Sequence, residues 1–176
     1  MVSDVQSNAI NMKFAVIGAK GQIGSDFVKL SDTCKIYQLD HDQVDVTNRY
    51  SLEKCLTNID CSALINLAAF HKVNECEQDP FKSLNVNAIG AANVAWMAKG
   101  KNCKVIYFSS DYVFGRESER KLPYLESDIV GPLNVYGTSK VAGEQLVRII
   151  HKDHLVVRTS SVFGVNTSRK GATFPE

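Results

Sequence analysis

Short apolar runs alternate along the chain with stretches whose apolar residues recur at helical spacing. Lys13 to Ile17 (KFAVI) is rich in strand-forming residues and stops at Gly18, and Gly24 to Leu30 then spreads its apolar positions over a helical period. Lys35 to Leu39 (KIYQL) alternates as a strand does and closes on Asp40, and Ser51 to Leu56 predicts a short helix. Ala63 to Ala69 (ALINLAA) is a third apolar run. Asp79 as N-cap, Pro80 at the first helical position and Gly100 just past the end delimit one long helix. Lys104 to Ser109 (KVIYFS) has the pattern of a buried strand, and Gly115 to Lys121 is a polar loop. A helix from about Val135 to Lys152 then leads to a fifth strand, Leu155 to Thr159 (LVVRT).

Strands separated by helices require right-handed crossovers, so the pattern predicts an α/β fold: a Rossmann-like doubly wound parallel sheet with helices on both faces. Such a sheet usually has about six strands. Only five are countable before the sequence reaches Thr173–Glu176, which predicts a sheet incomplete at its C-terminal end. Met1 to Asn11 has neither a basic lead nor an apolar run and reads as a flexible tail, leaving residues 12–176 as one domain.

Composition adds exclusions. Twenty Lys and Arg face 19 Asp and Glu, a net charge of +1, so nothing draws the whole surface toward nucleic acid or an anionic membrane. The longest uncharged stretch, Leu84 to Ala98, is interrupted by Asn85, Asn87 and Asn93 and falls short of the roughly 18 apolar residues of a membrane span. Five cysteines without C-x-x-C spacing predict a reducing compartment, hence a cytoplasmic location. No metal site is expected, because His151 and His154 sit beside Lys152 and Asp153 as surface residues would.

The candidate chemistry begins at Gly18, Gly21 and Gly24, between the first strand and the first helix. These positions suit a tight strand exit, close backbone approach to a pyrophosphate and close packing of helix on sheet, while the helix N-terminus attracts the anion. The spacing G-x-x-G-x-x-G is one residue longer than the usual dinucleotide fingerprint. Asp40, 22 residues after Gly18, is placed to accept from an adenosine ribose. Its charge disfavours a 2′-phosphate; Lys20 either offsets that charge and admits NADP, or is a solvated loop lysine. Asp45 and Val46 are candidates for adenine contact, or ordinary loop residues.

Further along, Tyr136 and Lys140 share one face of a helix. A lysine there is expected to lower the tyrosine pKa from about 10 and so assist proton transfer to a carbonyl as hydride arrives, though a surface pair has the same spacing. Ser110 follows the fourth strand on the edge where ligands bind in parallel sheets, and is placed to donate to the same carbonyl. Asn66 to Ala69 ends the third strand at that edge.

Together GAKGQIG (Gly18 to Gly24, with Gln22 and Ile23), NLAAF (Asn66 to Phe70), SSDYVF (Ser109 to Phe114), GPLNVYGTSKVAGE (Gly131 to Glu144) and RTSSVFG (Arg158 to Gly164) resemble the dTDP-4-dehydrorhamnose reductase family of extended short-chain dehydrogenases/reductases. The resemblance implies a catalytic triad of Ser110, Tyr136 and Lys140 and a cofactor, NADPH or NADH, lying against Ala68 and Ala69. It also implies a nucleotide-sugar substrate reduced at its 4-keto group near Asp111 and Arg158, and either a single chain or a homodimer. Ser161 stands where the family often has tryptophan, and His71 to Glu75 depart from its charge pattern. The family's C-terminal portion, which supplies much of the sugar pocket, has no counterpart, so these residues alone are expected to be inactive. A nucleotide-sugar epimerase or dehydratase, and a non-catalytic regulatory subunit resembling that of methionine adenosyltransferase, share several of these segments; Asp111 alone beside Ser110 makes dehydration the weaker of them.

Overall fold

The computed structural model describes residues 12–162; the expected N-terminal tail and the segment from Phe163 onward lie outside the described residues. Five parallel strands, β1 (Lys13–Ile17), β2 (Lys35–Leu39), β3 (Ala63–Asn66), β4 (Lys104–Ser110) and β5 (His154–Thr159), form one sheet in the order β2-β1-β3-β4-β5. The chain reverses its direction of travel across the sheet between β1 and β3, which opens a crevice at the carboxyl ends of those two strands.

The helices are α1 (Gln22–Leu30), α2 (Arg49–Leu56), α3 (Val73–Gln78), α4 (Pro80–Leu84), α5 (Gly90–Gly100) and α6 (Val135–Ile150). One face of the sheet is deeply covered. There Leu52 and Leu56 of α2, Val94, Ala95 and Ala98 of α5, and Val147 of α6 pack on Ala15, Leu64, Val105 and Tyr107. The opposite face is covered by Phe27 and Val28 of α1, which pack around Val16, Ala19 and Ile65, with Ile106 and Phe108 half-buried beyond them. Helices therefore lie on both faces, but unequally. Among the described residues β5 pairs only with β4, so it forms an edge.

Capping chemistry sets the helix boundaries. Asn48 accepts from the amides of Tyr50 and Ser51, Asp79 from Lys82, and Asn134 from Gly137. The long helix expected from Asp79 to Gly100 is interrupted at Asn85–Ile89 by one π-turn. Gly100 is its last helical residue, and Asn102 takes the left-handed conformation (φ 52°) that a glycine more often supplies past a helix end. The third apolar run also ends early, because Asn66 Oδ1 accepts the Ala68 amide at 3.1 Å and turns the chain off the ladder.

Candidate active site

Gly18, at the carboxyl end of β1, has φ +83°, and a Cβ there would come within 3.2–3.3 Å of the Leu67 and Ala68 backbone. The glycine turn and the NLAAF segment are thus packed edge to edge, with Ala68 beside the turn and Ala69 next to it, both half-buried. A Cβ on Gly24 would lie 2.4 Å from the Gly18 carbonyl oxygen and 2.7 Å from Ala19 Cα, so only glycine allows α1 to start this close to the turn. Gly21 is its N-cap, and no side chain caps the helix; Gln22 and Ile23 form the half-buried first turn. A backbone cradle at a helix N-terminus, kept free of side-chain bulk, fits a pyrophosphate-bearing group. Gln22 Nε2 also donates to the Val162 carbonyl at 2.9 Å, tying the turn to the chain beyond β5.

Asp40 is nearly buried, and both its oxygens are engaged by one residue. Oδ1 accepts the Lys20 amide at 2.8 Å, and Oδ2 pairs with Lys20 Nζ at 2.8 Å; Asp42 lies 3.9 Å from the same ammonium. Lys20 is therefore a partner of Asp40 and not the solvated alternative. Asp45 accepts from the Thr47 amide (2.9 Å) and hydroxyl (2.7 Å), and these bonds hold its carboxyl below the usual range. Val46 is buried in the core, and its carbonyl accepts from Asn93 Nδ2 at 3.0 Å.

On the other side of the crevice, Ser110 ends β4, donates to Asp111 Oδ1 at 3.0 Å and accepts the Tyr112 amide at 3.2 Å. Tyr136, in the first turn of α6, packs its ring edge-on to Tyr112 at 5.7 Å. Burial raises the phenol pKa above its ordinary value; a hydrogen bond with Ser110 opposes the shift, and the charge of Asp111 adds to it. The sequence led us to expect the reverse, a tyrosine lowered by Lys140. The lysine is aimed elsewhere: Nζ donates to the Phe108 carbonyl at 2.5 Å and sits 4.4 Å over the Tyr107 ring. Only 2% exposed, its amine is pulled down to about 7 by burial, against the charge of Glu144.

Three groups stand behind these side chains: Asn87 and Tyr107, which belong to none of the motif segments, and Glu144, which closes one of them without a role assigned to it. Asn87, in the π-turn, donates to Ser139 Oγ and to the Phe70 carbonyl (both 2.9 Å) and accepts the Phe70 amide at 2.8 Å, while its carbonyl accepts from Tyr107 OH at 2.9 Å. It joins the NLAAF segment to α6 and to the ring under Lys140. Glu144, one turn beyond Lys140 and fully buried, receives a two-pronged ion pair from Arg158 (Nε to Oε1 2.8 Å, Nη2 to Oε2 2.7 Å). Burial acts to raise this carboxyl, but Arg158, with Ser109 and Arg148 behind it, holds it below the glutamate range. The clue in the sequence was Glu144 at four residues from Lys140 on a helix with a buried face. Arg158 also lines, with Asp111, Phe114, Tyr124, Glu126 and Thr159, an open hollow of about 810 Å³ that runs along the edge strand β5.

Comparison with known proteins decides the lineage. The model of the family described as RmlD substrate binding domain matches residues 12–175. The chain belongs to this family. A dTDP-4-dehydrorhamnose reductase of Mycolicibacterium smegmatis is 34% identical over 156 residues, covering 86% of this chain and 46% of that protein. The Clostridium acetobutylicum dTDP-4-dehydrorhamnose reductase structure matches with a TM-score of 0.83 at 31% identity, covering 90% of this chain and 56% of that one. The Bacillus anthracis dTDP-4-dehydrorhamnose reductase, solved in complex with NADP, gives a TM-score of 0.80 at 34% identity, covering 85% and 54%. This member of the RmlD family thus spans about half the length of the relatives it matches. Among its described residues, no helix is long and apolar enough to cross a membrane.

Proposed function

We propose that the chain is the NAD(P)H-binding and proton-donating part of a dTDP-4-dehydrorhamnose reductase. The observation that carries this reading is the pairing, across one crevice, of a glycine cradle kept open at Gly24 with Ser110 and Tyr136. The turn from Gly18 to Gly24 would hold the pyrophosphate, Ala68 and Ala69 would form the floor, and Lys140 would hold the nicotinamide ribose. The bound nicotinamide supplies the hydride. Ser110 would donate to the 4-keto oxygen of a nucleotide-linked deoxysugar in the hollow beside Asp111 and Arg158. Tyr136 would hand its phenolic proton to the same oxygen. A phenol raised above its ordinary pKa keeps that proton at neutral pH, which suits reduction, where the group must act as an acid.

Lys20 bears on cofactor choice. With the Asp40 carboxylate neutralised by an ammonium at 2.8 Å, the charge that would repel a 2′-phosphate is cancelled, so NADPH is accepted alongside NADH.

The test is a titration of the chain with NADPH and NADH followed by nicotinamide fluorescence, paired with consumption of either cofactor in the presence of a dTDP-4-keto-6-deoxysugar. Binding of both cofactors by these residues is the expected result; turnover is expected only when the family's C-terminal portion is joined to them, and it should then be lost in Tyr136→Phe. No binding of either overturns the reading; binding without turnover by any form of the protein favours the non-catalytic regulatory one.

A further inference from the structure

The end of the sheet opposite the crevice holds two thiols that the proposed reduction does not use. Cys61 lies just before β3 and Cys103 directly precedes β4, and those strands are neighbours. Their Sγ atoms are 3.9 Å apart, both thiols are free, and the residues are 9% and 4% exposed. In the Ala63↔Lys104 register Cys61 stands one position out of step with Cys103; a strand spacing of about 4.8 Å and a rise of about 3.3 Å put such diagonal Cα atoms about 5.8 Å apart, within the range a disulfide spans. Neither cysteine belongs to the regular ladder, and Cys103 follows the turn at Asn102, so a small adjustment there disturbs no strand pairing.

Access and charge favour one of the two as the attacking thiol. Cys61 lines an open hollow of about 280 Å³ together with Thr57, Asn58, Asp60 and Lys101. The Lys101 ammonium is fixed there by a 2.9 Å bond to the Leu56 carbonyl. The Cys103 thiol, and then Lys101, draw the Cys61 thiol below its ordinary pKa against burial and the neighbouring Asp60 carboxylate, while Cys103 itself is pushed up.

We propose that Cys61 and Cys103 form a hydroperoxide-responsive dithiol, with Cys61 attacking and Cys103 resolving. The Cys61 thiolate attacks a peroxide oxygen; the O–O bond breaks, hydroxide leaves and takes up a proton, and Cys61 becomes a sulfenic acid. The Cys103 sulfur then attacks the Cys61 sulfur, the S–O bond breaks, and the hydroxyl departs as water with the Cys103 proton. Two thiols and one hydrogen peroxide give one disulfide and two waters. The step is independent of any cofactor or sugar.

Folded protein is treated with hydrogen peroxide, alkylated and cleaved after lysine and before aspartate. This separates Cys61 (peptide 60–72) from Cys55 and releases Cys103 in peptide 102–104. The expected product is a reductant-sensitive link between these two peptides, absent from Cys61→Ser and Cys103→Ser and retained in Cys55→Ser. In Cys103→Ser, Cys61 is expected to stop at sulfenic or sulfinic acid. A wild type that carries sulfinic Cys61 without the link, or that is oxidised at Cys34 or Cys55 while the pair stays reduced, overturns the proposal. Circular dichroism of wild type before and after oxidation ensures that the link forms in the folded state; a link that appears only on unfolding also overturns it.

Discussion

The two sides of the crevice each carry an ion pair on a buried carboxylate, and they differ in how far the cation is exposed. On the β1–β2 side, Lys20 and Asp40 meet at the rim, the lysine side chain 56% exposed. On the β4–β5 side, Arg158 and Glu144 meet with the glutamate fully buried. A pair in high dielectric contributes little to stability and is free to exchange partners with an arriving ligand. A buried pair cannot be opened without stranding a charge, so it fixes structure. Under the proposed function the rim pair is the one that meets the cofactor, whereas the buried pair is a strut holding α6 to β5 behind the Tyr136–Lys140 face.

Breaking the strut is expected to have the largest effect. Glu144→Gln leaves Arg158 without its carboxylate, an expected loss of about 3 kcal/mol in urea unfolding; Arg158→Met should cost less, because Arg148 Nη2 stays 3.5 Å from Glu144 Oε2. A loss below about 1 kcal/mol would remove the distinction between the two sides. Gly24→Ala comes next: its Cβ must displace backbone, and we expect about 1–3 kcal/mol of destabilisation together with loss of NADPH binding in fluorescence titration. Retained binding would show that the cradle is not where the pyrophosphate lies.

The Lys140 amine gives a subtler test. Its folded pKa of about 7 is below the ordinary 10.5, so between those values the unfolded chain binds more protons than the folded one. Stability should rise with pH through that window, and Lys140→Met should flatten the rise, as measured by urea midpoints from about pH 7 to 10. An unchanged slope would mean that the buried amine keeps its charge. The smallest effect on stability belongs to Lys20→Ala, within about 0.5 kcal/mol, yet the NADPH-to-NADH affinity ratio should fall by about tenfold, the equivalent of about 1.4 kcal/mol. A ratio that does not move would reduce Lys20 to a clamp on its own turn.

This contrast also explains what was legible beforehand. Strand order along the chain, the glycine turn and the helix from Val135 come from periodicity and spacing, which are local. Whether Lys20 was solvated or paired depended on the reach of its side chain to a strand end 20 residues away. The sign of the Tyr136 shift depended on burial, and the direction of Lys140 on the Phe108 carbonyl, neither of which spacing encodes. Arg158 reads as a substrate residue only through the family resemblance. Its bonds to Glu144 are a tertiary fact, joining α6 to β5.

The π-turn at Asn85–Ile89 amounts to a one-residue insertion carried inside a helix. One extra residue rotates the rest of the helix by about 100°. Ser83 before it and Asn87 within it face Ser139 and the NLAAF segment; after it, Ala91, Val94, Ala95 and Ala98 lie against the sheet. Chain length at this point, more than residue identity, thus keeps two faces in phase. A lineage that lost a single residue here would straighten the helix and unhook Asn87 from the crevice floor without altering one side chain of the site itself.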